Sequence, residues 1–234
     1  MENKEIFKLN NIFYSVQGEG IHIGKPTIFV RFAGCPFRCP YCDEPAALTE
    51  KGSFEREVDG LYEIIDREFL RKYNFSYVEF TGGSPEIQNN KMLYNLCKKL
   101  KRRYVGLKIG MQMSGGIEIH KKLWEIIDNH KIDFKEPACN IPFIIDINKL
   151  TSQDEIKFVV DNDNFDWFVE EVKRFEYSNV NIIVSPKSSA YSNEMLELEN
   201  AKELTMRILN ARLGLNIQVL PRLQQLYWCN KKGV

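Results

Sequence analysis

The strongest constraint in this sequence is an alternation. Short runs rich in β-branched and aromatic residues take turns with amphipathic runs of helical period along most of the chain. The runs 28–33 (IFVRFA), 77–80 (YVEF), 104–112 (YVGLKIGMQ), 131–134 (KIDF), 156–160 (IKFVV), 180–185 (VNIIVS) and 215–221 (LNIQVLP) read as strands. Between them, 58–70 places Leu61, Ile64, Ile65 and Phe69 on one helical face. The next helix sets Leu93, Leu96, Cys97 and Leu100 at i, i+3, i+4 and i+7, which makes Cys97 a small core residue. Further helices are expected at 123–128, 167–175 and 193–212. Such alternation predicts a parallel sheet with covering helices, about six β/α units after a first strand pair. In such folds functional loops lie at the C-terminal ends of strands. The cysteine loop after 28–33, TGGSP after 77–80 and SPK after 180–184 all fall there.

Bulk properties narrow the partners. The 234 residues carry 32 Lys+Arg and 32 Asp+Glu, for a formal net charge of zero. That balance gives no electrostatic reason for nucleic acid or an anionic membrane to be a direct partner. The basic run KKLKRRY at 98–104 reads as the last turn of a helix, where cations offset the macrodipole. No run approaches the roughly 18 apolar residues of a membrane span, and MENKEIFKLN lacks the apolar centre of a signal peptide. A cytoplasmic protein is expected. In a reducing compartment, clustered cysteines point to metal or catalysis rather than disulfides. His22, His120 and His130 stand in no ligand-like spacing.

Three of the six cysteines fall in AGCPFRCPYCDEP, at Cys35, Cys39 and Cys42, spaced C-x₃-C-x₂-C. Thiolates are soft ligands for zinc or iron–sulfur clusters. Structural zinc is closed and four-coordinate, so it would need a distant fourth ligand, with Cys139, Cys229, His22 or Asp43 as candidates. A [4Fe–4S] cluster normally takes four thiolates. With three, one iron stays open for a small molecule.

The spacing, with Tyr41 before the last cysteine and a TGG turn after the next strand, resembles the radical S-adenosylmethionine superfamily. The opening IFYSVQGEGIHIGKPTIFVRFAGC closely resembles that of the 7-carboxy-7-deazaguanine synthase (QueE) family. DFKEP at 133–137, DEIKFVV at 154–160 and SPK at 185–187 extend the likeness over nearly the whole chain. The resemblance implies a single domain over 1–234, a modified partial (β/α)₆ barrel of the radical SAM type. An N-terminal substrate-binding segment would span about 9–34 and the cluster loop 35–45. The implied reaction converts 6-carboxy-5,6,7,8-tetrahydropterin to 7-carboxy-7-deazaguanine with release of ammonia. It is a lyase step in queuosine or archaeosine synthesis. A [4Fe–4S] cluster, S-adenosylmethionine and Mg²⁺ are the implied cofactors. A one-electron donor such as flavodoxin and a homodimer are the implied partners.

Residue by residue, the resemblance assigns Cys35, Cys39 and Cys42 to the cluster. It assigns Val16, Gln17, Gly18, Arg31 and Thr81 to substrate. Tyr41, Cys42, Asp43, Gly83, Ser84, Ser114, Ser185, Pro186 and Lys187 go to S-adenosylmethionine. No catalytic side chain is implied, since the radical comes from the cosubstrate. Arg31 interrupts an apolar strand, and a guanidinium fork suits a carboxylate.

Four places depart from the family. The usual Thr after Cys-Asp is Glu44, a hard-cation donor that either takes Mg²⁺ directly or displaces it. The family's TGGEP is TGGSP, with Glu86 as a possible substitute for the lost carboxylate. The strand end usually reading E-T-N/S-G is Gln112-Met113-Ser114-Gly115. LPRLQQLYW at 220–228 keeps glutamines but not a His-Lys pair. Hydrogen bonds to a charged group contribute about 1.5–3 kcal/mol each. Losing both carboxylates uncompensated would weaken cosubstrate binding by roughly a hundredfold. The alternatives are an activase that generates a glycyl radical on a partner, and a cluster-binding homologue without enzyme activity.

Overall fold

The structure is a computed structural model that describes residues 5–73, 75–187 and 194–228. In chain order the elements are β1 (Phe7–Val16), β2 (Pro26–Phe32), β3 (Phe54–Arg56), α1 (Val58–Ile64), β4 (Tyr77–Gly82), α2 (Asn90–Arg103), β5 (Lys108–Met113), α3 (Lys121–Ile126), β6 (Asn129–Phe134), β7 (Glu155–Val160), α4 (Phe165–Glu171), β8 (Asn181–Pro186), α5 (Glu194–Ala211), β9 (Ile217–Val219) and α6 (Leu223–Trp228). All nine strands join one sheet in the order β3-β1-β2-β4-β5-β6-β7-β8-β9. β1 pairs antiparallel with β2 and β3, and every other neighbouring pair is parallel. The sheet ends at β3 on one side and β9 on the other, and among the described residues these two edges do not pair, as in a barrel left open.

The expected alternation is present, with shifted boundaries. β5 starts at Lys108 rather than 104, because α2 runs to Arg103 and Gly106 turns at φ +87°. α1 passes at Ile65 into a wider π-type turn that carries the chain to Leu70. The β6–β7 connection holds two short 3₁₀ turns and no α-helix, so one of the expected units lacks its helix. Position 193, the expected start of α5, and Cys229 lie outside the described residues.

Each strand has two faces because side chains alternate. One face packs Ile28, Val30, Phe32, Val78, Phe80, Ile109, Met111, Ile132, Phe134, Ile156, Phe158, Ile182 and Val184 into a continuous core beneath the helices. Phe158 touches Phe134, Trp167, Phe168 and Phe175. Burying one such ring contributes about 1.5–3 kcal/mol. α2 shows how local sequence supports this face. The Asn89 side chain accepts from the Lys91 and Met92 amides, satisfying donors that the helix start leaves unpaired. Met92, Leu93, Leu96, Cys97 and Leu100 are buried, and Lys101, Arg102 and Arg103 close the last turn.

The other face is charged. Glu79, Lys131, Asp133, Glu155 and Lys157 stand on it at alternate positions of β4, β6 and β7. The β1–β2 loop crosses this face toward β7. Ile21 N donates to Glu155 Oε2 at 2.7 Å, and Glu19 forms an ion pair with Lys157. Leu223 N donates to Gly18 O at 3.0 Å, tying the C-terminal segment to the same loop. Gly20 sits at φ +72°, and a Cβ there would lie 2.1 Å from a Glu155 carboxylate oxygen. Gly24, in the same loop at φ +81°, has no atom within 4 Å of a Cβ. Gly24→Ala should therefore cost only backbone strain, about 1–2 kcal/mol. Gly20→Ala should cost about 1–3 kcal/mol more through the clash. Urea midpoints of the two variants check this; equal losses would remove the contact with Glu155 as the reason for Gly20.

Candidate active site

The charged face is the wall of a cavity of about 510 Å³. It opens at the C-terminal ends of the parallel strands, where Arg31 of β2, Thr81 of β4, Gln112 of β5 and Ser185 of β8 meet the cysteine loop. Of the residues singled out from sequence, Val16, Gln17, Gly18, Arg31, Cys35, Cys39, Tyr41, Cys42, Asp43, Glu44, Thr81, Gly83, Ser114, Ser185 and Pro186 all line it.

Ser84 and Lys187 do not. Ser84 is buried behind the turn. Lys187 pairs with Glu136 at 2.9 Å and Asp161 at 3.3 Å, and stands over the Tyr41 ring. Its charge is already answered by two carboxylates. Glu86 is also turned inward. It accepts from Ser114 N at 2.7 Å and Ser114 Oγ at 2.6 Å, so it ties the TGGSP turn to the end of β5 rather than facing the cavity.

The loop that carries the cysteines is fixed by backbone. Gly34 N donates to Ala47 O at 2.8 Å and Cys35 N to Leu48 O at 3.2 Å. Gly83 closes against this junction: a Cβ there would meet Gly34 O at 2.2 Å and Ala47 O at 2.5 Å. The TGG glycine is thus required by close backbone approach. Cys35, Cys39 and Cys42 are half-buried. Burial pushes the Cys35 and Cys42 thiols up. The Cys39 thiol is pushed up first by its hydrogen bond with Cys139 and then by burial, and Lys135 opposes the rise at each of the three. Lys135 itself, despite burial, is held charged by Asp133 at 2.8 Å. Among the described residues no three Cys, His, Asp or Glu side chains converge on a single ion. A cubane cluster asks for less convergence, because each thiolate binds a different iron. Three thiols on one loop, open to a cavity and served by one shared lysine, fit that group. Cys139 comes to the back of the loop. Its thiol donates to Tyr41 Oη at 3.3 Å and is drawn down to about 6 by the neighbouring Cys39 thiol.

The cavity floor is a network that motif reading missed. Lys131 pairs with Glu79 at 2.8 Å, and Gln17 Nε2 donates to Glu79 Oε2 at 3.2 Å. Arg222 pairs with Glu197 at 3.4 Å and Asp43 at 3.5 Å, and Gln224 Nε2 donates to Glu19 at 2.8 Å. Burial raises Glu79. Glu19 is lowered because Lys157 outweighs its burial. The usable signal was present: charges at period two inside parallel strands, as in KIDFK and EIK, have no place against a helix layer.

A partial parallel barrel with a three-thiol loop and a TGG turn at one mouth defines the radical S-adenosylmethionine class. A family model described as a 4Fe-4S single cluster domain matches residues 16–133. The 7-carboxy-7-deazaguanine synthase of Pyrobaculum aerophilum is 32% identical over 228 residues, covering 95% of each chain. That of Hyperthermus butylicus is 28% identical over 232 residues, covering 94% of this chain and 92% of that one. The crystal structure of QueE from Escherichia coli shares the fold, with a TM-score of 0.65 at 20% identity over 92% of this chain and 94% of that one. This chain belongs to the 7-carboxy-7-deazaguanine synthase family.

Glu155 gives the site a titration that can be tested. Burial raises its carboxyl from 4.5 to about 7, with the Lys131 ammonium opposing. Between those values the folded protein holds the proton more tightly than the unfolded chain. This contribution to stability is therefore full below pH 4.5 and is lost as pH rises through about 7. Glu155→Gln keeps the acceptor for Ile21 and removes the titration. Its stability relative to the parent should rise with pH across this window, by up to about 1.4 kcal/mol per unit. A pH-independent difference in urea midpoints would refute the assignment.

Proposed function

We propose that this chain is a radical S-adenosylmethionine lyase that converts 6-carboxy-5,6,7,8-tetrahydropterin to 7-carboxy-7-deazaguanine with release of ammonia. The observation that carries the proposal is convergence. The segment Val16–Gly18, Arg31, Thr81 and the three loop cysteines face one cavity of about 510 Å³, a size suited to a small heterocycle beside a nucleoside.

When bound, a cluster held by Cys35, Cys39 and Cys42 would supply one-electron radical chemistry through S-adenosylmethionine at the cavity mouth. The protein's own part is to position. Arg31 offers a guanidinium to a carboxylate. Thr81 Oγ1, which donates to Gln112 Oε1 at 3.0 Å, still has its lone pairs to accept a ring N–H. Gln17, held by Glu79, orients the backbone of the segment beside the ring system. Gly83, Tyr41, Ser114 and Ser185 remain as the cosubstrate side. Asp43 and Glu44 each pair with an arginine, so a Mg²⁺ ion taken up at the loop would compete with those pairs. The same reading brings a one-electron donor such as flavodoxin, a homodimer, a cytoplasmic location and a place in 7-deazapurine synthesis. Among the described residues no helix is long and apolar enough to cross a membrane.

Anaerobic protein should carry about four iron and four sulfide per chain. With S-adenosylmethionine, a reductant and the carboxytetrahydropterin it should release 7-carboxy-7-deazaguanine and ammonia. Arg31→Met should raise KM for the pterin by about 10–100-fold, the loss of one charged hydrogen-bonded contact. Cleavage of S-adenosylmethionine without pterin turnover would overturn the substrate and leave the class intact.

A further inference from the structure

The arginine expected to meet the substrate's carboxylate already holds one. Glu44 Oε2 lies 2.7 Å from Arg31 Nη1, and the side chains are only 16% and 19% exposed. Arg31 stands opposite Thr81 across the β2–β4 pairing, with its guanidinium 5.1 Å above the Phe13 ring. Its Nε is buried and, among the described residues, makes no hydrogen bond. A guanidinium carries its five N–H donors in one rigid plane. Here Nη1 is ion-paired with Glu44, while Nε stays unmet beside a cavity that both residues line. A second carboxylate brought to the same plane would face Glu44 directly, and like charges so placed disfavour binding.

Taking the pterin reading above as its basis, we infer that Glu44 is an internal stand-in for the ligand's carboxylate on Arg31 and so a specificity-determining residue. A carboxylated heterocycle gains Arg31 only by displacing Glu44. A neutral relative neither needs that displacement nor gains from it. The pair also keeps the guanidinium in place and closed to simple anions, which an open arginine in a cavity would collect. Glu44 therefore weakens carboxylate binding in this chain, the opposite of what a metal ligand serving that carboxylate would do.

The test is calorimetric binding to the cluster-loaded full chain with S-adenosylmethionine, with and without Mg²⁺. The probes are 6-carboxypterin and 6-hydroxymethylpterin, fully aromatic rings with no C6 hydrogen to lose. Glu44→Thr should tighten 6-carboxypterin by about tenfold, the release of one partly screened charge repulsion. It should leave 6-hydroxymethylpterin unchanged. Glu44→Gln, which keeps the shape, should move in the same direction, and adding Arg31→Met should abolish the gain. Unchanged or weaker 6-carboxypterin binding in both Glu44 variants would overturn the inference. So would Mg²⁺ tightening the parent but not Glu44→Thr, which would make Glu44 a metal ligand. If neither probe binds any variant, the pterin reading itself falls, and the inference with it.

Discussion

Glu155 and Lys157 of β7 reach across the open side of the barrel to the β1–β2 loop, and the site depends on that link. Glu155 takes the Ile21 amide and Lys157 takes Glu19, which in turn accepts from Gln224. Charges buried this deeply are tolerated only with partners, and here the partners come from segments far apart in sequence. The link therefore does two jobs. It satisfies charges that the sheet would otherwise strand, and it brings Val16, Gln17 and Gly18 against the cavity.

The same requirement organises the rest of the charged face. Lys131 answers Glu79, Asp133 answers Lys135, and Arg222 answers Asp43 and Glu197. Because neighbouring strands hold fixed registers, these pairs sit at fixed heights: Lys131 beside Glu155, and Asp133 beside Lys157. The opposite face of the same strands is a conventional apolar core. Chemistry and stability are thus separated by one residue of register along each strand, and a slip of one position would exchange them.

Much of this was legible in the sequence, for identifiable reasons. The alternation gave the parallel sheet because helices and strands bury apolar residues at different periods. C-x₃-C-x₂-C and TGG marked the mouth because backbone approach and thiolate ligation both leave short local patterns. Cys97 could be set aside from spacing alone and is fully buried. What local pattern could not supply was direction. Lys187 belongs to SPK, yet it faces Glu136 and Asp161. Ser84 and Glu86 sit two residues apart in TGGSPE, and both turn away from the cavity. Glu44 was read as a donor for Mg²⁺, and its ion pair with Arg31, thirteen residues earlier on another element, leaves no local pattern to announce it. The β6–β7 connection lacks a helix, and IPFIIDINK at 141–149 carries no helical period to announce one.

The cysteine loop is closed at its base by Gly34 N to Ala47 O and Cys35 N to Leu48 O, with Gly83 pressed against both strands of the neck. Topologically it is a ring hung from the sheet by its stem. A ring of this kind passes no length information to the sheet, since lengthening a closed loop changes its closure entropy only logarithmically. The stem and the TGG turn can keep their relation while the ring between them grows, shrinks or changes composition. The neck is therefore fixed independently of what the ring carries, and the two glycines there, Gly34 and Gly83, are among the residues least free to change.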